Sequence, residues 1–155
     1  MVDQNQLRIL RNGVETWNAW RRQAEDVRVD LRGADFHEAD LIGVDLHGAD
    51  LKTAVLCDVT LREASLIGAN LSGADLSMGD LRGADLHEAN LRGADLGLTD
   101  LRLAIFYETM ILDVELSILS SRENPKICGI DDAEVVGDLV AVDMPVPRHL
   151  LAQKS

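Results

Sequence analysis

Between Val29 and Leu116 every fifth side chain is large and apolar, from Leu31 and Phe36 through Leu41, Leu46 and Leu51 to Phe106, Ile111 and Leu116, with no unit out of step. Two positions before each of these the residue is small or β-branched, most often alanine, and the position between is usually Asp or Asn. A five-residue period fits neither regular element. On an α-helix each fifth residue advances about 140° past a full turn, so the leucines would spiral over every face. On a flat strand the odd spacing would send successive leucines to opposite sides. A chain that turns a corner once per five residues points all of them into one narrow interior, and the pattern therefore predicts a solenoid.

The flanks carry other patterns. Gln4 to about Glu25 reads as one amphipathic helix, with Leu7, Leu10, Val14, Trp17 and Ala24 near a three-to-four spacing, which Gly13 weakens without ending. Both tryptophans, Trp17 and Trp20, stand just before the repeats. Their expected role is to plug the first coil, because an open solenoid end exposes an apolar interior and unpaired backbone groups. After Leu116 the period is lost, and Ser120, Ser121 and Pro125 mark a loop. A second apolar population from Ile127 to Val146 is expected to fold back as a cap, followed by a loose tail. The expected organisation is an N-terminal helical cap over residues 1–28, repeats over 29–116, and a C-terminal loop, cap and tail over 117–155.

The triplets Ala34-Asp35-Phe36, Ala69-Asn70-Leu71 and Ala84-Asp85-Leu86 resemble the signature of the pentapeptide-repeat family, Ala-(Asp or Asn)-Leu-x-x. The resemblance runs through eighteen consecutive units, 88 of the 155 residues. It implies an all-β solenoid, the right-handed quadrilateral β-helix with four units per coil, here about four and a half coils. The stretch from Leu10 to Arg21 also looks like a leader found ahead of some bacterial, notably cyanobacterial, repeats of this kind. One fold hosts many functions, so the resemblance implies no single activity.

Charge narrows the partners. The chain carries a net charge of -12, and the repeats account for most of it, with 17 Asp plus Glu against 6 Lys plus Arg between Val29 and Leu116. Direct attraction to nucleic acid phosphates or to an anionic membrane is disfavoured. Met1 to Leu10 holds no apolar run of signal-peptide or membrane-span length, and Cys57 and Cys128 follow no paired or metal-type spacing. A cytoplasmic protein is expected on both grounds.

If four sides make a coil, residues twenty apart stack. Sorted that way, Arg32, Lys52 and Arg92 form one column and Arg62, Arg82 and Arg102 another on the opposite side, each among aspartates. Such charges are expected to relieve repulsion between stacked carboxylates. A third side stacks Asp35, Asp75, Asp95 and Glu115 with almost no basic residue, and this acidic strip is the candidate partner-binding surface. Near the end of the repeats, Leu98, Leu103, Ile105, Tyr107, Met110 and Leu112 occupy positions that are polar or small in earlier coils. These form a candidate apolar patch or cap contact.

No catalytic constellation is evident. The glycines are not followed by Lys-Ser or Lys-Thr, there is no Gly-x-Ser-x-Gly and no His-Glu-x-x-His, and His47 and His87 would lie about 10 Å apart, too far to share one ion. The expectation is a non-enzymatic protein with no metal and no cofactor, a scaffold that presents side chains to a protein partner, as a monomer or as a dimer through its C-terminal end. The alternative comes from the family resemblance: acidic rods of this type mimic DNA and bind type II topoisomerases such as gyrase. Against it stand the arginine columns and the shortness of the rod.

Overall fold

A computed structural model describes residues 2–111 of the chain. The expected C-terminal loop, cap and tail over 117–155, together with Leu112 and Glu115, lie outside the described residues.

The amino-terminal segment is two helices, α1 (Gln4–Arg11) and α2 (Val14–Arg21), where the sequence suggests one reaching about Glu25. The break is at Gly13. Its φ of 109° lies outside helical space, a value that a residue without Cβ adopts at little cost. Asp3 begins α1 by accepting the Asn5 and Gln6 amides on its carboxylate.

From Val29 onward the chain coils with twenty residues per level. Parallel bridges connect Asp30 to Asp50 to Asn70 to Asn90 to Met110, and three further columns start at Asp35, Asp40 and Asp45. Each side is so short that the bridges stay isolated, and no strand forms among the described residues. Hydrogen bonds hold one level to the next: the Leu31 amide donates to the Asp50 carbonyl at 2.8 Å, and the Asp50 amide returns to the Val29 carbonyl at 2.9 Å. The same exchange recurs at each side.

The corners explain the period of five. The residue two after each apolar centre has φ between 52° and 69°, from Gly33 to Glu108. Seven such corners are glycine, and nine carry side chains, including Glu38, Asp58, Met78 and Leu103. The amide three after the centre closes the turn onto the centre's carbonyl, as Ala34 does to Leu31 at 3.1 Å. Leu46, Leu51, Leu56 and their successors through Leu91 are fully buried, with Ala49, Ala69, Ala84 and Ala89 packed beside them. Each leucine contributes about 2 kcal/mol by leaving water.

Where threonine replaces alanine at Thr99 and Thr109, the hydroxyl is buried. It donates to the Leu76 carbonyl at 2.9 Å and to the Leu86 carbonyl at 2.7 Å, so it enters the interior satisfied.

The helices lie against the first level. Leu7, Leu10 and Trp17 are buried in the same core as the leucine ladder, and Val14 and Trp20 pack against it. Their polar neighbours bond to the first level's backbone. Gln6 accepts the Asp30 amide, Asn18 accepts the Asp45 amide, and the Trp17 indole donates to the Asp45 carbonyl at 2.6 Å. On two sides, helix side chains thus take the place that a preceding coil level would fill.

Candidate interaction surfaces

Every Asp or Asn beside a leucine centre has the same local job. A side-chain oxygen accepts the amide two residues on, as Asp35 does from His37 at 3.0 Å, Asp75 from Ser77 at 3.0 Å, Asp80 from Arg82 at 3.2 Å and Asp95 from Gly97 at 2.8 Å. What else an aspartate meets depends in part on the side chain two residues on.

Where that residue is arginine, the guanidinium folds back onto its own turn's carboxylate in a two-pronged contact. Asp30 pairs with Arg32, Asp80 with Arg82 and Asp100 with Arg102. Arg82 also lies 3.7 Å from Asp100 on the next level. The hydrogen bonds from Arg32 lower the Asp30 pKa to about 2, and those from Arg82 and Arg102 lower Asp80 and Asp100 likewise. On these two opposite sides the acidic charge is largely met within the rod.

The Asp35 side differs. Its column is Asp35, Val55, Asp75 and Asp95, flanked by His37, Cys57, Ser77 and Gly97 and by the corner acids Glu38 and Asp58. Among the described residues no Lys or Arg stands in it. The Ser77 hydroxyl donates to Asp75 at 2.6 Å and leaves the charge in place. Of the expected site residues, the structure brings Asp75 and Asp95 to adjacent levels and sets Asp35 apart from them by the exposed Val55. Glu115 lies outside the described residues. Burial, with the charges of Asp75, Asp58 and Asp35, pushes the Cys57 thiol up, so it stays protonated beside the His37 ring at 3.1 Å.

The apolar candidates are exposed, but they do not make one patch. Leu103, Ile105 and Tyr107 follow one another around a single corner, with Leu103 at 71 % exposure. Leu98 is at the preceding corner and Met110 on the side beyond, so the set forms a collar around the last described level. Tyr107 stacks on His87 with ring centroids 4.8 Å apart. Leu112 lies outside the described residues.

Sequence reasoning missed Arg21. It is 2 % exposed, donates to the His47 carbonyl at 2.9 Å, and has its Nε buried without a hydrogen-bond partner, 4.0 Å from Asp45. Gln6 and Asn18 were missed too. The available signal was the need itself: a first level with open backbone groups calls for polar side chains at helical spacing among the apolar ones.

No group of three or more His, Cys, Asp or Glu among the described residues could hold a metal ion. No helix among them is long and apolar enough to cross a membrane.

Comparison with known proteins gives a family match and several similar solved structures. The family described as pentapeptide repeats matches at residues 27–56, 49–87 and 84–117, in eight copies. No curated protein sequence matches the chain. Among solved structures, the chain is 36 % identical to alr5209, a pentapeptide repeat protein from Nostoc PCC 7120, over 64 % of this chain and 74 % of that one, with a TM-score of 0.39. It is 26 % identical to the pentapeptide repeat protein Rfr23 from the cyanobacterium Cyanothece 51142, over 72 % of this chain and 98 % of that one, with a TM-score of 0.33. It is 19 % identical to trypsin-treated M102R QnrB1, a plasmid-mediated fluoroquinolone resistance protein, over 56 % of this chain, with a TM-score of 0.46. There the match spans only 55 % of the QnrB1 chain.

Proposed function

The chain belongs to the pentapeptide-repeat family, whose members fold as right-handed quadrilateral β-helices, and on that premise we propose that it is a non-catalytic interaction module. The rod presents the acidic strip of Asp35, Asp75, Asp95 and Glu115 to a protein partner with a basic surface, in the cytoplasm. The observation that carries this reading is the contrast between sides. Asp80 and Asp100 are engaged by Arg82 and Arg102, whereas Asp75 and Asp95 have no basic side chain beside them among the described residues. A carboxylate with no internal counter-ion is available to an external one.

The same proposal assigns the parts of the chain. Residues 1–28 cap the first level, residues 29–116 form about four and a half coils, and residues 117–155 cover the apolar collar of Leu98, Leu103, Ile105, Tyr107 and Met110, with Leu112. Two observations support the caps: the helix side chains bonded to the first level, and the exposure of five large apolar residues near the last described level. Deleting residues 126–155 is then expected to cause association, read by sedimentation; a monomer after deletion would overturn the C-terminal assignment.

The strip is tested by reversing it. Partner capture from the native host should be lost with Asp75→Lys and Asp95→Lys together while far-UV circular dichroism is unchanged, and capture that survives would reduce the strip to a solvated face. A gyrase supercoiling assay with the same protein is expected to show no inhibition. Inhibition would replace this reading with mimicry of DNA toward a type II topoisomerase.

A further inference from the structure

The helical segment answers only half of the first level's edge. On the Asp30 side, the Asp30 amide donates to Gln6 at 2.8 Å and its carbonyl accepts the Asp3 amide at 2.8 Å. On the Asp45 side, the Asp45 amide, the Asp45 carbonyl and the His47 carbonyl are taken by Asn18, Trp17 and Arg21. The two sides between have no such partner. Among the described residues the amides of Asp35 and Asp40 find no acceptor and the carbonyls of Asp35, His37, Asp40 and Ile42 no donor, whereas one level on the equivalent amides of Val55 and Thr60 are bonded at 2.9 Å.

We propose that this open edge, from Asp35 to Ile42, takes up a short basic peptide that turns with it at the Glu38 corner, adding two more sides to the coil. An edge with unpaired amides and carbonyls is a ready template for another chain. Its chemistry selects the occupant. It offers two backbone donors against four backbone acceptors, so it is matched by a segment rich in donors. The side chains at the edge include Asp35, Glu38 and Asp40, all exposed, with no Lys or Arg between Gly33 and Gly43. Two copies of this chain meeting edge to edge would oppose three carboxylates with three more, which disfavours self-association and favours a cationic partner. The exposed Ile42, at 44 %, gives an apolar contact at one end of the run.

The proposal extends the reading of the chain as an interaction module but uses a different surface from Asp75 and Asp95, and the tests separate the two. The probe is a blocked octapeptide of alternating lysine and valine, compared with the same peptide N-methylated at every valine. Both carry equal charge, but only the first can donate its valine amides. Hydrogen exchange of the full chain, read by NMR, should show the Asp35 and Asp40 amides slowed by about tenfold or more with the first peptide and unchanged with the second. Asp40→Pro, which removes an amide with no acceptor among the described residues, should weaken the first peptide by about threefold or more beyond Asp40→Ala, which removes only the carboxylate. The proposal is overturned by equal effects of the two peptides, by protection that falls at Asp75 and Asp95 instead, or by a dimer in sedimentation that protects the same edge without peptide. Loss of binding on N-methylation bears only on this edge, and charge reversal at Asp75 and Asp95 bears only on the strip.

Discussion

The Asp40 side and the Asp35 side of the rod have the same backbone, the same corner and the same aspartate three residues before the corner position, yet they present different electrostatics. On the first, Arg82 and Arg102 fold onto Asp80 and Asp100. On the second, Ser77 and Gly97 stand where those arginines would be. The aspartate is there for the turn in both cases. Its neighbour two residues on decides whether its charge is used internally or offered outward, so family membership fixes the aspartate and the variable position sets the surface.

The largest expected effect breaks the frame that both sides share. Ala74→Leu places a branched side chain in a fully packed interior and should destabilise the rod by about 1–3 kcal/mol, seen as a lower melting temperature. A normal melt would mean the interior is looser than the leucine and alanine layers indicate.

Next in size, Ser77→Arg sharpens the comparison by building on the strip the fork found at Asp80 and Arg82. Partner capture should fall by about tenfold, equivalent to about 1.4 kcal/mol, with the melting temperature unchanged. Undiminished capture would remove Asp75 from the contact. The reverse experiment, Arg82→Ser with Arg102→Ser, should change the melting temperature little and raise the Asp80 and Asp100 pKa values toward the ordinary carboxylate range, measured by carboxyl NMR titration. No upward movement would show that the turn amides, rather than the guanidinium groups, hold those values down.

The smallest effect is the pH dependence of the forks. Asp30, Asp80 and Asp100 have folded-state pKa values below that of an unfolded Asp, about 3.9, so each fork stabilises the fold above that value. For Asp30 the contribution should fade as pH falls from about 4 to about 2, following its folded pKa of about 2. Melting curves across that range should be flatter for Arg32→Ser than for the unaltered chain, and parallel curves would count against the fork.

The repeat was legible in the sequence because a single geometric demand, one inward residue per corner, stamps a period on every unit. The columns followed from stacking at twenty, which correctly set Arg82 among Asp80 and Asp100 and left Asp75 and Asp95 together. What was not legible depended on bonds between distant segments. That Gly13 separates two helices, and that Gln6, Asn18 and Arg21 reach the backbone near Asp30, Asp45 and His47, follows from how the helices dock rather than from their own periodicity. The corner at Leu103 teaches a related lesson. Positive φ there is imposed by the coil, so a residue type seldom found in that conformation is no guide to it.

The register between levels carries a consequence for how such a chain can change over generations. Because bridges join residues twenty apart while the sequence unit is five, an insertion of twenty residues would lengthen the rod by one level, about 4.8 Å, and leave every column in line. An insertion of five would preserve the leucine ladder and every corner equally well, yet turn all that follows by a quarter circle. Placed between Asp75 and Asn90, it would move Asp95 off the acidic side and carry the uncharged Asn90 into its place. A small duplication that leaves the fold intact can therefore redraw the whole distal surface in one step.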